Sequence, residues 1–241
     1  MKIELCIESF AGAKLAQKYN LDSVEINSSL NLGGITPSLG LIKLVSEVFD
    51  GNKTAMIRPR PGGFNYTDDE YENMKKDLEI FMKEDVDAIA VGFLNSDYTI
   101  NRERTKEFCG IIHSNNKKMV FHRAFDNVND MHKAIEVLIE IGVDAILTSG
   151  LYENAIEGKD NLKSLIEIYG NNIEIIAGAG LNSSNLKDFI NYTDVTFVHS
   201  SMKGFREDNT SFNNVSYRVY NDNKVLINDE NEIKAFVNNF N

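Results

Sequence analysis

Glu4, Cys6 and Glu8 alternate with Ile3, Leu5 and Ile7 at the start of the chain. In an extended strand, neighbouring side chains point to opposite faces, so the two carboxyls and the thiol share one face. The pattern recurs. Glu25 and Asn27 alternate with Val24 and Ile26, Met56, Arg58 and Arg60 with Ile57 and Pro59, and Phe197 and His199 with Val198; His122 is followed by Arg123 and Asp126. Brought together, these groups have two chemistries open to them. Glu8 or Glu25 with His122 would do general acid–base work, because burial and neighbouring charge move such pKa values toward neutrality. Arg58 and Arg60 would hold an anionic group, since guanidinium matches carboxylate and phosphate geometry.

A second constellation comes late. Ala177-Gly178-Ala179-Gly180 precedes Asn182 and Ser183, and His199 is followed by Ser200 and Ser201. Small residues such as Gly178, Gly180, Ser200 and Ser201 let backbone N–H groups approach a phosphate or sulfate. The same glycines also serve a tight turn with no ligand.

The elements that must position these residues follow from periodicity. Short apolar runs read as strands near 2–8, 22–27, 54–60, 87–93, 118–124, 144–149, 173–178 and 195–200. Amphipathic patterns near 9–19, 38–49, 68–84, 102–114, 130–141, 153–169, 183–191 and 229–239 read as helices. Thr67 with Glu70 and Asp229 with Glu232 have the spacing of capping boxes. Eight βα units in one chain predict an α/β fold, a single (β/α)8 TIM barrel spanning 1–241, with a doubly wound sheet as the alternative. Between 202 and 228 the rhythm breaks. There 215–219 and 224–227 flank Asn221-Asp222-Asn223, which predicts a hairpin-like excursion before the last helix, serving as a lid or an oligomer contact.

In such a barrel the aliphatic faces meet the helices and the polar faces point inward. Barrel interiors are normally aliphatic, and unpaired charge there is costly. Glu4, Glu8 and Glu25 therefore require Arg58, Arg60, Arg123 or the histidines as partners. Such a cluster either fixes the strands as a buried ion network or forms a site at the C-terminal ends of the strands. His122 fits a site or a hydrogen-bonded core, and Cys6 a ligand or a small buried hydrophobe. Met56 reads as packing. Cys109, His113 and His132 fall on helices; the thiol reads as inert and the histidines show no partner. Asp68, Asp69 and Glu70 suit a helix N-terminus.

Composition narrows the function. The chain has 241 residues, 25 Lys plus Arg against 36 Asp plus Glu, and a net charge of −11, which argues against nucleic acid and anionic membranes as partners. Two cysteines build neither a disulfide framework nor a Cys-rich zinc site. The first residues do not read as a signal peptide and no apolar run approaches a membrane span, so a cytoplasmic location is expected.

The sequence resembles the CutC family of copper-homeostasis proteins. The resemblance is carried by Glu4-Leu5-Cys6, Gly33-Gly34-Ile35-Thr36-Pro37-Ser38-Leu39-Gly40, Ile57-Arg58-Pro59-Arg60, Phe121-His122-Arg123-Ala124-Phe125-Asp126, Leu147-Thr148-Ser149-Gly150, Ala177-Gly178-Ala179-Gly180 and His199-Ser200-Ser201. It implies a TIM barrel, a cytoplasmic homo-oligomer (dimer or tetramer) and copper binding. The chain departs from the family pattern at four places. Asn27 stands where many members carry Cys, Ile7 where some carry a second Cys, Gly63 where Asp is common and Phe197 where Glu is common. Cu(I) prefers thiolate and thioether ligands, so Cys6 is the expected metal ligand, with His122, His199 and Met56 as helpers.

Two functions are expected on different grounds. The resemblance implies copper binding. The polar residues point instead to an enzyme acting on a small anionic or phosphorylated metabolite, with Glu8, Glu25, Arg58, Arg60, His122, Arg123, Asp126 and His199 as its catalytic group and Gly178, Gly180, Ser200 and Ser201 as its anion seat. A scaffold using the barrel exterior comes last, because no exposed apolar stripe is evident.

Overall fold

The computed structural model describes residues 1–210, 214 and 224–239. Eight parallel strands close into a barrel in sequence order: β1 (Lys2–Ile7), β2 (Ser23–Ile26), β3 (Asn52–Met56), β4 (Ala88–Val91), β5 (Lys118–Phe121), β6 (Ala145–Thr148), β7 (Glu174–Ala177) and β8 (Phe197–Ser200). The helices are α1 (Phe10–Lys18), α2 (Leu39–Ser46), α3 (Asp68–Phe81), α4 (Arg102–Ser114), α5 (Met131–Ile141), α6 (Lys159–Tyr169), α7 (Leu186–Thr193) and α8 (Glu230–Asn238). This is the expected TIM barrel. β1 closes it against β8, with Glu4 opposite His199, while Cys6 lies opposite Glu25 on β2.

The alternation works as anticipated. Leu5, Ile7, Val24, Ile26, Ile57 and Val198 are buried in the layer between barrel and helices. Inside the barrel, Met56, Ala88, Ala90, Val120, Ala145, Leu147, Ile176 and Phe197 form a separate apolar cluster, contributed mostly by β4–β8. Glu4, Cys6, Ser23, Glu25 and Thr54 occupy the β1–β3 side of the interior. The interior is thus divided into a polar side and an apolar side.

Several ends differ from the periodicity for local reasons. β3 stops at Met56 because Arg58 leaves the ladder: its N–H donates to Thr36 Oγ1 at 3.0 Å, and its carbonyl accepts from the Thr36 N–H at 2.9 Å. β5 stops at Phe121 because His122 caps a 3-10 turn over Arg123–Asn127, with Nδ1 accepting from the Ala124 N–H at 3.2 Å. α6 starts at Lys159 rather than 153, since the Ala155 N–H donates to the Ala179 carbonyl across the barrel end. A Cβ on Gly158 would meet the Ser149 carbonyl oxygen at 1.9 Å, so this crossing needs glycine.

Thr67 and Glu70 make the expected capping box. Asp229 caps α8, but Glu232 does not reach back to it and binds Ser183 instead. After β8 the chain forms β9 (Lys203–Glu207), paired antiparallel with β10 (Lys224–Asn228). The expected hairpin partner of 224–227, the run 215–219, lies outside the described residues. Asn228 ties β10 down by donating to the Cys6 carbonyl at 2.9 Å and the Ser201 carbonyl at 2.8 Å.

Candidate functional site

At the C-terminal end of the barrel lies a cavity of about 520 Å³, lined among others by Cys6, Glu25, Asn27, Met56, His122 and His199. β9 and β10 contribute Lys203, Phe205 and Leu226 to its wall. C-terminal strand ends are where barrel enzymes and binding proteins carry their sites.

The polar wall is built outward from Glu4. Its carboxylate accepts from Ser23 Oγ at 3.0 Å and Thr54 Oγ1 at 3.2 Å, and it lies 2.9 Å from His199 Nδ1. That bond orients the ring, whose Nε2 lies 3.8 Å from Glu25 Oε2. Gly178 allows this placement: a Cβ there would lie 3.3 Å from His199 Cδ2 and 2.8 Å from Leu147 Cδ1. Cys6 Sγ donates to Glu25 Oε2 at 3.5 Å, and Asn27 Nδ2 donates to the same oxygen at 2.7 Å and to Cys6 Sγ at 3.2 Å. Glu25 Oε1 is buried and has no hydrogen-bond partner among the described residues.

The electrostatics follow from burial. Burial, reinforced by Glu25, pushes the Cys6 thiol well above its ordinary value. Burial also raises the Glu25 carboxyl. For His199, burial alone would lower the pKa, but Glu25 and Glu4 outweigh it and the net shift is upward. Two carboxyls face one imidazole, so this wall favours positive charge.

Ligand atoms of Cys6, Glu25 and His199 all lie within 4.8 Å of one another. Metal–ligand bonds of about 2.0–2.3 Å place neighbouring ligands about 3.3–4.0 Å apart in a trigonal or tetrahedral shell. The Cys6–Glu25 and Glu25–His199 separations of 3.5 and 3.8 Å fall in that span. The donor set fits copper or zinc: a thiolate is soft, imidazole suits both ions, and Glu25 adds a carboxylate whose second oxygen, Oε1, has no partner among the described residues.

His122 stands apart from this wall. It is 2% exposed, and burial and the Arg58 charge push its pKa down to about 3, so the ring is neutral. With Nδ1 accepting from Ala124, the proton resides on Nε2, which has no partner among the described residues.

The other expected site residues have different settings. Arg58 lines the cavity, but Nη1 donates to the carbonyls of Leu32, Gly33 and Gly34 and Nη2 to that of Gly62, which ties two loops together. Arg60 pairs with Glu70 and with the Gly63 carbonyl, and it does not line the cavity. Glu8 accepts from the Leu30 N–H at 2.8 Å, outside the cavity lining. Asp126 binds Arg123 Nε, Thr148 Oγ1 and Ser149, fastening the turn after β5 to the end of β6. The pair of free arginines expected for an anion is therefore not formed.

The residues expected to seat an anion are divided. Gly180, Ser200 and Ser201 line the cavity, whereas Gly178 does not. The nearby Ser183 N–H and Oγ donate to the Glu232 carboxylate at 2.6 and 2.8 Å. Ser200 Oγ donates to the Leu181 carbonyl at 2.7 Å and accepts from the Met202 N–H at 3.1 Å. The helix histidines, expected without partners, have them: His113 Nε2 lies 2.8 Å from Asp144 Oδ2, and His132 Nδ1 3.2 Å from the Tyr169 hydroxyl. Cys109 is buried outside the barrel, and its thiol is pushed up to about 11, mainly by burial.

Fold and cavity together define a TIM-barrel protein with a thiol–carboxylate–imidazole group at the C-terminal end of its strands. Residues 1–204 match the CutC family, and the chain belongs to that family. It is 40% identical to the family protein CutC of Treponema denticola over 214 residues, covering 88% of this chain and 86% of the relative. It is 34% identical to that of Histophilus somni over 240 residues, covering 98% and 97%. The crystal structure of a Streptococcus agalactiae chain, named as a copper homeostasis protein CutC, superposes with a TM-score of 0.78 at 31% identity and covers 83% of this chain and 98% of the other. Among the described residues, no helix is long and apolar enough to cross a membrane.

Proposed function

We propose that this chain handles copper by binding one ion as cargo at Cys6, His199 and Glu25, beneath the β9–β10 strap. The reading is supported most by a single observation: donor atoms of Cys6 on β1, Glu25 on β2 and His199 on β8 converge, and the second Glu25 oxygen, Oε1, is buried without a partner among the described residues. The copper-homeostasis name of the Streptococcus agalactiae relative favours copper among the ions this donor set accepts. Cys6 supplies the soft ligand, and Glu4 holds His199 through Nδ1 so that Nε2 faces the ion, the arrangement by which outer-shell carboxylates orient metal-bound imidazoles. Met56 also lines the cavity, from the apolar cluster inside the barrel.

The test is an anaerobic Cu(I) competition titration of the wild type, Cys6→Ser and Cys109→Ser. The expected result is one ion per chain in the wild type and Cys109→Ser, lost in Cys6→Ser. Equal binding by all three proteins, or none that withstands the competitor, would overturn the proposal.

A further inference from the structure

The metal ligands account for only one wall of the cavity. On another wall, His122 presents a buried Nε2–H with no partner among the described residues. A buried donor left unpaired costs on the order of 1–3 kcal/mol, and the His122 side chain lines a cavity of about 520 Å³. That size suits an organic molecule rather than an ion alone.

The surroundings define the chemistry. Phe64 packs against the His122 ring at 5.0 Å between centroids, and the Arg58 guanidinium lies 5.0 Å from the Phe64 ring centre on the same wall. Arg58 gives its hydrogen bonds to carbonyls, so it contributes positive field rather than a contact. Arg123 also lines the cavity: its Nε and Nη2 are bonded, while Nη1 has no hydrogen bond among the described residues. Two guanidinium groups and a neutral N–H donor call for a ligand with negatively charged oxygen. Met56, Leu147, Leu181 and Phe205 give the rest of the lining an apolar character suited to a carbon chain. Phosphate is disfavoured, because Glu232 already occupies the N–H and hydroxyl of Ser183.

We infer that the cavity binds a small, non-phosphorylated organic acid, with its carboxylate received by His122 Nε2–H and Arg123 and its carbon skeleton on the apolar wall. The inference goes beyond the copper reading and does not depend on it, because none of these groups is a proposed metal ligand.

The experiment uses the metal-free chain, both wild type and Cys109→Ser, with hexanoate and phenylacetate as probes and hexanamide and inorganic phosphate as controls. Calorimetry gives affinity, and nitrogen-15 NMR of the imidazoles reports the contact. The acids should bind with a Kd below about 1 mM and at least about tenfold more tightly than hexanamide or phosphate. They should also shift the His122 Nε2 resonance more than its Nδ1. Arg123→Gln should weaken them by about tenfold, and Cys109→Ser, outside the cavity, should leave them unchanged. An unmoved Nε2 resonance, or hexanamide binding as tightly as hexanoate, would overturn the inference. Failure of copper binding with acid binding intact would overturn only the copper reading.

Discussion

Asn27 donates its side-chain amide to Cys6 Sγ at 3.2 Å while also holding Glu25 Oε2 at 2.7 Å. The one thiol of the cavity therefore faces an N–H donor, which supports the sulfur and the carboxylate but offers no electron pair to a cation. Ile7, the other neighbour of Cys6 on β1, is buried in the barrel–helix layer. Asn27 is thus the position from which a second soft ligand could reach the ion. Asn27→Cys should tighten Cu(I) binding by about tenfold or more, measured by the same competition titration. Unchanged affinity would show that position 27 does not face the ion.

Copper binding should depend on pH with a defined sign. Burial and Glu25 hold the Cys6 proton well above the ordinary thiol range, so the ion must displace it. Ligation by thiolate then releases about one proton per ion, and His199, whose pKa is raised, adds a second wherever its ring is still protonated, so affinity rises by about tenfold or more per pH unit between about pH 6 and about pH 8. Competition titrations at three pH values, with proton release read in weak buffer, check this. A flat profile would mean that the thiol is not the ligand.

Much of this arrangement was legible in the chain itself. The alternation of Glu4 and Cys6 with Leu5 identified the inward face of β1, and the eightfold rhythm identified the barrel. What stayed hidden was which partner each polar group would choose. Arg60 turns to Glu70, ten residues away, and Glu232 to Ser183, 49 residues away. Each pairing is set by how helices and loops dock around the strands, which local periodicity does not encode. The capping-box spacing of Asp229 and Glu232 even pointed to a different contact. The Glu4–His199 bond also needed the closure of β1 on β8, although both residues already stood out as polar residues in apolar runs.

The two interior histidines should give the metal-free protein opposite pH responses. His122 is held neutral, its pKa pushed down to about 3 by burial and Arg58. The unfolded chain takes up the proton more readily, so this contribution to stability is complete above about pH 6.5 and is lost as pH falls toward about 3. For His199 the folded value is raised, because Glu25 and Glu4 outweigh burial. Its contribution is complete below about pH 6.5 and is lost as pH rises through the folded value. Melting curves across this range should show the acid-side loss shrink in His122→Phe and the alkaline-side loss shrink in His199→Gln. Identical profiles in both variants and the wild type would contradict the assignment.

Gly92 tests how tightly the His122 ring is held. A Cβ at this position would meet His122 Nδ1 at 2.8 Å and Ala124 Cβ at 2.9 Å. Neither neighbour is the free end of a flexible chain, since the ring is buried and Ala124 belongs to the turn that His122 caps. Gly92→Ala should cost about 1–3 kcal/mol by overpacking, read from denaturant unfolding, and should displace the ring. An unfolding midpoint equal to that of the wild type would show that this wall yields.

Glu232 takes up the donors of Ser183. Its carboxylate receives the Ser183 N–H and hydroxyl beside the loops after β7 and β8, the region where many barrels of this kind seat phosphate. Glu232→Ala removes two charge-assisted hydrogen bonds and leaves their donors open. The variant should lose about 1.5–3 kcal/mol, because hydrogen bonds to charged groups are the stronger ones and α8 is docked through this pair. Inorganic phosphate should restore part of the lost melting temperature at about 50 mM, by binding the folded state alone. The same phosphate should leave the wild-type melting temperature unchanged. Restoration in Glu232→Ala and not in the wild type would mean that the carboxylate holds the donors a phosphate would otherwise take; equal shifts in both would mean that the Ser183 pocket plays no part in excluding it.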